Sequence, residues 1–257
     1  MTKKTDHNKH TQQSPPSTFT LNTIGTISSP FKEKFGIPRQ PALAKNIISE
    51  IIVIPPYNRI EAFKEIEVFS HLWLSFIFHQ NTRTEWKPCI RPPRLGGNKK
   101  IGVFASRSSF RPNDLGLSVV ELIDIKQVDG EIRIKIRGAD LVDGTPIVDI
   151  KPYIPYTDAI PDAKAGYASE APRKQLEVIY SSQSLEQLQR IDTSRYPNFK
   201  LIINDILSAD PRPAYKGKNV NHKSDPKNYG INLYDFDIKW KVTGDSVEVL
   251  SIVALGL

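Results

Sequence analysis

The chain predicts a mainly β fold: a closed β-barrel of mostly antiparallel strands, followed by a small C-terminal α+β domain. Three observations point there. From Phe19 onward the apolar runs are short and broken by Pro and Gly, without the long helical segments that parallel βαβ units require. Glu131–Arg137 alternates strictly, with Ile132, Ile134 and Ile136 on one face and charges on the other, the period of a half-buried strand. Six or seven such segments lie between residues 21 and 150, enough to close one barrel and leave no open edge.

In chain order, residues 1–18 are rich in Lys, Thr, Gln, Ser, His and Pro and read as a disordered polar tail. Residues 19–160 form the barrel. Strands are expected at 21–28 and 47–54, both rich in β-branched residues, and at 71–78, 101–105, 118–125, 131–137 and 146–150. One short helix is expected over 60–69, where Ile60, Phe63, Ile66 and Glu67 recur at helical spacing. Between Tyr153 and Arg173, Pro152, Pro155, Pro161 and Pro172 punctuate a connection unsuited to helix or central strand. A boundary near Pro161 separates the second domain, 161–257. There 174–181 reads as a strand, 184–194 and 197–209 as helices, and 229–242 with 247–254 as a hairpin turned by Gly244-Asp245.

Composition narrows the function. Hydrophobic residues make up 39% and charged residues 25%, values of a folded globular chain rather than a disordered or membrane one. Lys and Arg total 35 against 28 Asp and Glu, a net charge of +7 compatible with a phosphate-bearing partner and equally with a solvated basic surface. A single cysteine, Cys89, excludes an intrachain disulfide and a cysteine-based zinc site, and the other residues show no metal-ligand spacing, so no metal is expected. No membrane segment or apolar leader is readable, and a cytoplasmic location is expected. The Gly-x-Gly-x-x-Gly turn, the Walker A loop and the Gly-x-Ser-x-Gly elbow are absent.

Three loops pack Arg, Pro and Gly together: Ile37-Pro38-Arg39-Gln40-Pro41, Arg91-Pro92-Pro93-Arg94-Leu95-Gly96-Gly97-Asn98 and Arg107-Ser108-Ser109-Phe110-Arg111-Pro112-Asn113. Proline stiffens the backbone and leaves a neighbouring guanidinium little entropy to lose on binding carboxylate, phosphate or a base edge. Any one of these arginines alone reads as a surface ion pair; three such loops on one barrel read as a site. Asp140-Leu141-Val142-Asp143, following Gly138, is either a turn whose carboxylates bond their own backbone or a cradle for hydroxyls, an amino group or a sulfonium. His79-Gln80 ends an apolar strand; His79 is a base by its ordinary pKa or a structural histidine. Asp210-Pro211-Arg212-Pro213-Ala214-Tyr215 precedes a Lys-rich loop and suits stacking on single-stranded RNA, or simply terminates a helix.

Taken in order, the segments 29–35, 38–41, 69–73, 91–98, 140–153 and 210–215 resemble the bacterial tRNA threonylcarbamoyladenosine methyltransferases, which carry a TsaA-like domain. The resemblance runs from about Phe19 to the C-terminus. It implies an S-adenosylmethionine-binding barrel and a homodimer. The implied substrate is the threonylcarbamoylated adenosine beside the anticodon, methylated on its exocyclic N6. It further implies Pro38, Arg39, Gln40, His79, Gln80, Arg107, Leu117 and Asp140, Leu141, Val142 and Asp143 as cofactor-binding positions. Arg39, Arg107, His79 and Asp143 are the candidates for catalytic work, and Arg91, Arg94, Arg111, Arg212 and Tyr215 those for RNA contact. At Asp114 this chain departs from the family's more usual proline, which puts the shape of that loop in question. The alternatives are a non-catalytic RNA-binding barrel and an enzyme acting on a small molecule.

Overall fold

The computed structural model describes residues 18–38, 40–41, 45–82, 85–95, 98–170, 176–212 and 225–256. The tail expected over 1–18 lies almost wholly outside the described residues. Six strands close a barrel: β1 (Gly25–Ser28), β2 (Ile48–Val53), β3 (His71–Ile77), β6 (Leu115–Val128), β7 (Glu131–Arg137) and β8 (Pro146–Pro152). The order is β1-β2-β7-β6-β3-β8, with β8 returning to β1 and every pair antiparallel. Strands β4 (Cys89–Ile90) and β5 (Ile101–Gly102) pair with each other outside it. Alternation dictates the interior. On β7, Ile132, Ile134 and Ile136 are fully buried beside Ile51, Leu72, Leu74, Phe76 and Ile147, while Arg133 and Arg137 pair outside with Glu131 and Glu121. Those exposed ion pairs add little stability; burial of the β-branched face drives closure.

A second core lies under a sheet ordered β10 (Asp225–Leu233), β11 (Phe236–Thr243), β12 (Ser246–Ala254) and β9 (Glu177–Tyr180), with β9 parallel to β12. One turn of helix, α1 (Pro155–Asp158), precedes it, and α2 (Ser182–Gln189) and α3 (Phe199–Ser208) cover it. The Ser181 hydroxyl caps α2 by accepting from the Ser184 N–H. Helix α3 buries Phe199, Ile202, Ile203, Ile206 and Leu207 on Trp240, which stacks on Tyr229 with ring centroids 4.7 Å apart. This core also takes Phe31 and Ile47 from the segment between β1 and β2. Phe31 bridges to Leu233, and the Tyr234 N–H donates to the Pro30 carbonyl at 2.7 Å.

Three expectations need correction. Residues 60–69 form two 3-10 turns, Ile60–Phe63 and Ile66–Val68, rather than one helix. Ile60, Phe63 and Ile66 repeat every third residue, the 3-10 period, and Glu65 between the turns adopts φ 66°, which no helix continues through. Phe63 and Ile66 still pack on the barrel core. The strand expected over 101–105 stops at Gly102 and gives way to a 3-10 turn, Val103–Ala105. Residues 229–242 are two strands, not one, because Tyr234 at φ 53° reverses the chain without a glycine to announce it. The turn at Gly244-Asp245 joins β11 to β12 as expected.

Gly116 is required by packing. It faces Phe76 across the β3–β6 ladder, and a β-carbon placed there would lie 2.2 Å from the Phe76 ring, itself buried against Phe78. Gly116→Ala should therefore cost about 1–3 kcal/mol by overpacking, measured by chemical denaturation. Adding Phe76→Leu should recover part of the loss.

Candidate functional site

The site gathers where β6 begins, from three segments far apart in sequence. The first follows Phe31. Phe35 and Ile37 pack on the second core, and Gly36 at φ 89° turns the chain between them, so that Pro38 and Gln40 leave from an anchored base. The second segment carries Arg107. It is held by Val103, buried under its 3-10 turn, and by a series of short bonds. The Ser106 hydroxyl donates to the Val103 carbonyl at 2.7 Å, and the N–H groups of Ser108 and Phe110 donate to the Ser106 and Ser108 hydroxyls. The third is the turn after β7, from Gly138 to Thr145.

Two hydrogen bonds and the charge of Arg107 near Asp140 relate them. The Arg107 Nη1 donates to Gln40 Oε1 at 2.7 Å. The Ser118 hydroxyl, at an inward-facing position of β6, donates to Asp140 Oδ1 at 2.7 Å. Burial pushes the Asp140 carboxyl above the usual range; the Ser118 hydrogen bond and the nearby positive charge of Arg107 oppose that but do not overcome it. Asp140 is thus a carboxyl short of positive charge, bonded by one hydroxyl. That environment fits a ligand carrying an ammonium or sulfonium.

Asp143 does different work. Its Oδ1 accepts from the Ser29 N–H at 2.9 Å and its Oδ2 from the Lys32 ammonium at 2.8 Å, while its own N–H donates to the Phe31 carbonyl. Both oxygens fasten the turn to the 29–32 segment, a long-range anchor that is neither of the two alternatives the sequence offered for this carboxylate. Leu141 and Val142 are buried, and the Leu141 side chain belongs to the barrel core, so that the backbone of these two residues is what they can offer a ligand. Gln80 is tied in through its carbonyl, which accepts from the Lys34 ammonium, and His79 beside it is exposed. Asp114 has found a partner: its carboxylate accepts from Asn81 Nδ2 at 2.7 Å, the same amide that donates to the Ser109 carbonyl, so a hydrogen bond orders the loop where the family more often uses a ring.

The arginines divide as well. Arg91 is exposed. Arg111 holds its own loop, donating to the Ser106 carbonyl at 2.9 Å with its guanidinium over the Phe104 ring. Arg212 is 8% exposed and pairs bidentately with Asp210 through Nε and Nη2, both at 2.8 Å, a geometry that shapes its loop rather than meeting a polyanion. Arg39, Tyr215 and the Arg94 side chain lie outside the described residues. The alternation missed Ser118, Lys32, Lys34 and Asn81. Ser118 alone left a signal, as a hydroxyl among the inward positions Gly116 and Val120 of β6. A cleft of about 880 Å³ adjoins, bordered by Pro41, Trp73, Val119, Arg137, Gly138 and Tyr153 on the outer barrel face and by Asn198 ahead of α3. Among the described residues, no three His, Cys, Asp or Glu side chains could hold a metal ion, and no helix is long and apolar enough to cross a membrane.

The raised pKa of Asp140 has a signed consequence. A carboxyl whose pKa is higher in the folded than in the unfolded chain favours folding while protonated, and that contribution is lost as pH rises through the folded value. Asp140→Asn, neutral throughout and still able to accept from Ser118, should therefore raise Tm at neutral pH, with a gain that shrinks on acidification. Thermal melts of both proteins across pH would check it; a gain that grew towards acid would contradict the assignment.

Comparison with known proteins identifies the family. Residues 26–159 match the family described as the tRNA-methyltransferase O N-terminal domain, and residues 173–255 match the TrmO C-terminal domain. The chain is 46% identical over 237 residues to the tRNA (adenine(37)-N6)-methyltransferase of Escherichia coli K12, covering 92% of this chain and 98% of that one. It is 40% identical over 237 residues to a putative S-adenosylmethionine-dependent methyltransferase, RcsF, of Pseudomonas aeruginosa, covering 91% and 98%. The crystal structure of TrmO from Pseudomonas aeruginosa superposes with a TM-score of 0.75 at 34% identity, over 93% of this chain and 99% of that one. With both of its parts matched in order and nearly the whole length of these relatives covered, the chain belongs to the tRNA-methyltransferase O family.

Proposed function

We propose that this chain methylates the exocyclic N6 of adenosine 37 in tRNA, with S-adenosylmethionine as donor, and that the adenosine it accepts carries the threonylcarbamoyl group. The observation that carries the reading is the cluster of Gln40, Arg107, Ser118 and Asp140 in a chain of this family. When bound, S-adenosylmethionine supplies an electrophilic methyl group on a sulfonium. Asp140 would hold the positive charge of that ligand; because the charge is lost during transfer, a carboxylate here would contribute more to binding than to rate. Pro38, Gln40, His79, Gln80, Leu117 and the backbone of 141–142 complete the cradle in this reading; Arg39, assigned to it from the sequence, lies outside the described residues.

The N6 of a carbamoylated adenine is a poor nucleophile because its lone pair is delocalised into the ring and the carbonyl. Arg107 stabilises the negative charge that builds on the nucleobase and its carbonyl as the N6 proton leaves, and with Arg39 holds the threonine carboxylate. The proton passes to His79 or to water, since both oxygens of Asp143 are engaged by Ser29 and Lys32. Alignment in a site sheltered from water supplies much of the remaining acceleration. Exposed basic residues of the 91–111 loops take tRNA phosphates, and residues 161–257 support a homodimer and add tRNA contacts, in a protein that works in the cytoplasm. A non-catalytic RNA-binding barrel is not favoured in a family of methyltransferases.

Labelled methyl incorporation into two tRNA pools, one with and one without the threonylcarbamoyl group, tests reaction and substrate together. Incorporation into the first pool alone is expected; incorporation into neither by folded protein would sink the reading. Arg107→Ala should lower kcat by about 10²-fold, as loss of one charge-stabilising donor does, with Tm nearly unchanged; an unaltered rate would remove Arg107 from this role. Affinity for tRNA should fall steeply between 50 and 200 mM salt, as counterion release dictates.

A further inference from the structure

Net charge is not spread evenly along this chain. Residues 86–112 hold seven Lys and Arg and no Asp or Glu, which equals the whole formal net charge of +7 and leaves the rest of the sequence balanced. The stretch lies between β3 and β6 and contains the β4–β5 hairpin, closed by the pairs Cys89 with Gly102 and Ile90 with Ile101. Two large aromatic side chains flank that hairpin, Trp86 before β4 and Phe104 after β5. They are 50% and 71% exposed, with ring centroids 6.2 Å apart and planes inclined by 36°.

Leaving two such rings in water forgoes burial that the fold does not lack means to provide. The backbone instead holds them out. Val103, next to Phe104, is buried at 1% exposure, and its N–H donates to the Pro88 carbonyl at 2.9 Å, two residues from Trp86. Arg111 ties down the same turn through the Ser106 carbonyl, and its guanidinium carbon stands 5.6 Å from the Phe104 centroid. The pair is thus presented on a braced hairpin, with Arg111 against Phe104 and further basic residues in the same stretch of sequence.

We propose that Trp86 and Phe104 form a stacking platform for one unpaired base of an RNA loop, with Lys87, Arg91, Lys99 and Lys100 taking the flanking phosphates. The proposal rests on the tRNA reading above and deepens it by assigning a base-binding site outside the cluster around Asp140. Bases present a π-face whatever their identity, and the phosphates on either side of an unpaired base meet the surrounding cations, so single-stranded RNA satisfies both halves of the surface. A second copy of this chain meeting the same face across a two-fold axis would set like charge against like.

The test measures binding of an anticodon stem-loop RNA and of a fully paired RNA to wild type, Trp86→Ala, Phe104→Ala and Trp86→Phe, without methyl donor. Melting temperature, S-adenosylmethionine affinity and sedimentation are measured in parallel. Each alanine variant should weaken stem-loop binding roughly 5- to 150-fold, the span for stacking of one base, and leave duplex binding, donor affinity and oligomeric state unchanged. Trp86→Phe should retain most of the affinity. Stem-loop binding at wild-type strength in both alanine variants overturns the platform, and so does a changed oligomeric state, which would make the pair a subunit contact. The two readings fail separately. Platform-dependent RNA binding by a wild type that transfers no methyl group sinks the methyltransferase reading alone, whereas methyl transfer with an unchanged KM for tRNA in both variants sinks the platform alone.

Discussion

Residues 29–33 are the segment on which the candidate site depends, because two distant parts of the chain, the turn after β7 and the end of β10, hold them at once. The Ser29 N–H and the Lys32 ammonium are bonded to Asp143, the Pro30 carbonyl to Tyr234, and the Glu33 carboxylate to the Asn232 N–H. Phe31, between them, enters the core under the C-terminal sheet. A segment so fixed transmits its position to Pro38 and Gln40 a few residues on, and Gln40 in turn meets Arg107. The second unit is therefore part of what aligns the barrel's loops.

The acidic turn after β7 shows how burial sorts residues of one type. Asp140 and Asp143 stand three apart, yet Asp143 spends both oxygens on anchoring while Asp140 keeps a buried carboxyl compensated by one hydroxyl and a nearby guanidinium. The arginines sort the same way. Arg212 is closed into a bidentate pair and Arg111 braces its loop, whereas Arg91 stays exposed and Arg107 reaches Gln40. In each case the side chain bonded on more sides has the structural role.

Much of the barrel was legible. A period of two marks strands wherever one face must be buried, and the inward isoleucines of β7 follow from it directly. Gly244-Asp245 announced its hairpin because a tight turn demands such residues. The reversal at Tyr234 carried no comparable mark, since its φ of 53° is imposed by the strands it joins and by the Pro30 carbonyl that its N–H meets. Residues 60–66 were ambiguous for a similar reason: three apolar residues at threefold spacing suit either helix type, and the φ of Glu65 decides.

By itself the sequence determined what each segment can be: which residues face inward along a strand, where Pro and Gly forbid regular structure, and that basic loops cluster before β6. Those are properties of neighbours in the chain, governed by backbone sterics and the side-chain period. Only the tertiary structure decided which strands lie side by side, that Phe31 and Ile47 serve the second core, and that both oxygens of Asp143 go to Ser29 and Lys32 while Asp140 meets Ser118. Ser29 and Asp143 are 114 residues apart and bonded, and Ser118 and Asp140 are 22 apart and bonded. A hydroxyl or carboxylate acquires its role from the partners that folding brings to it, and local sequence carries no record of those partners.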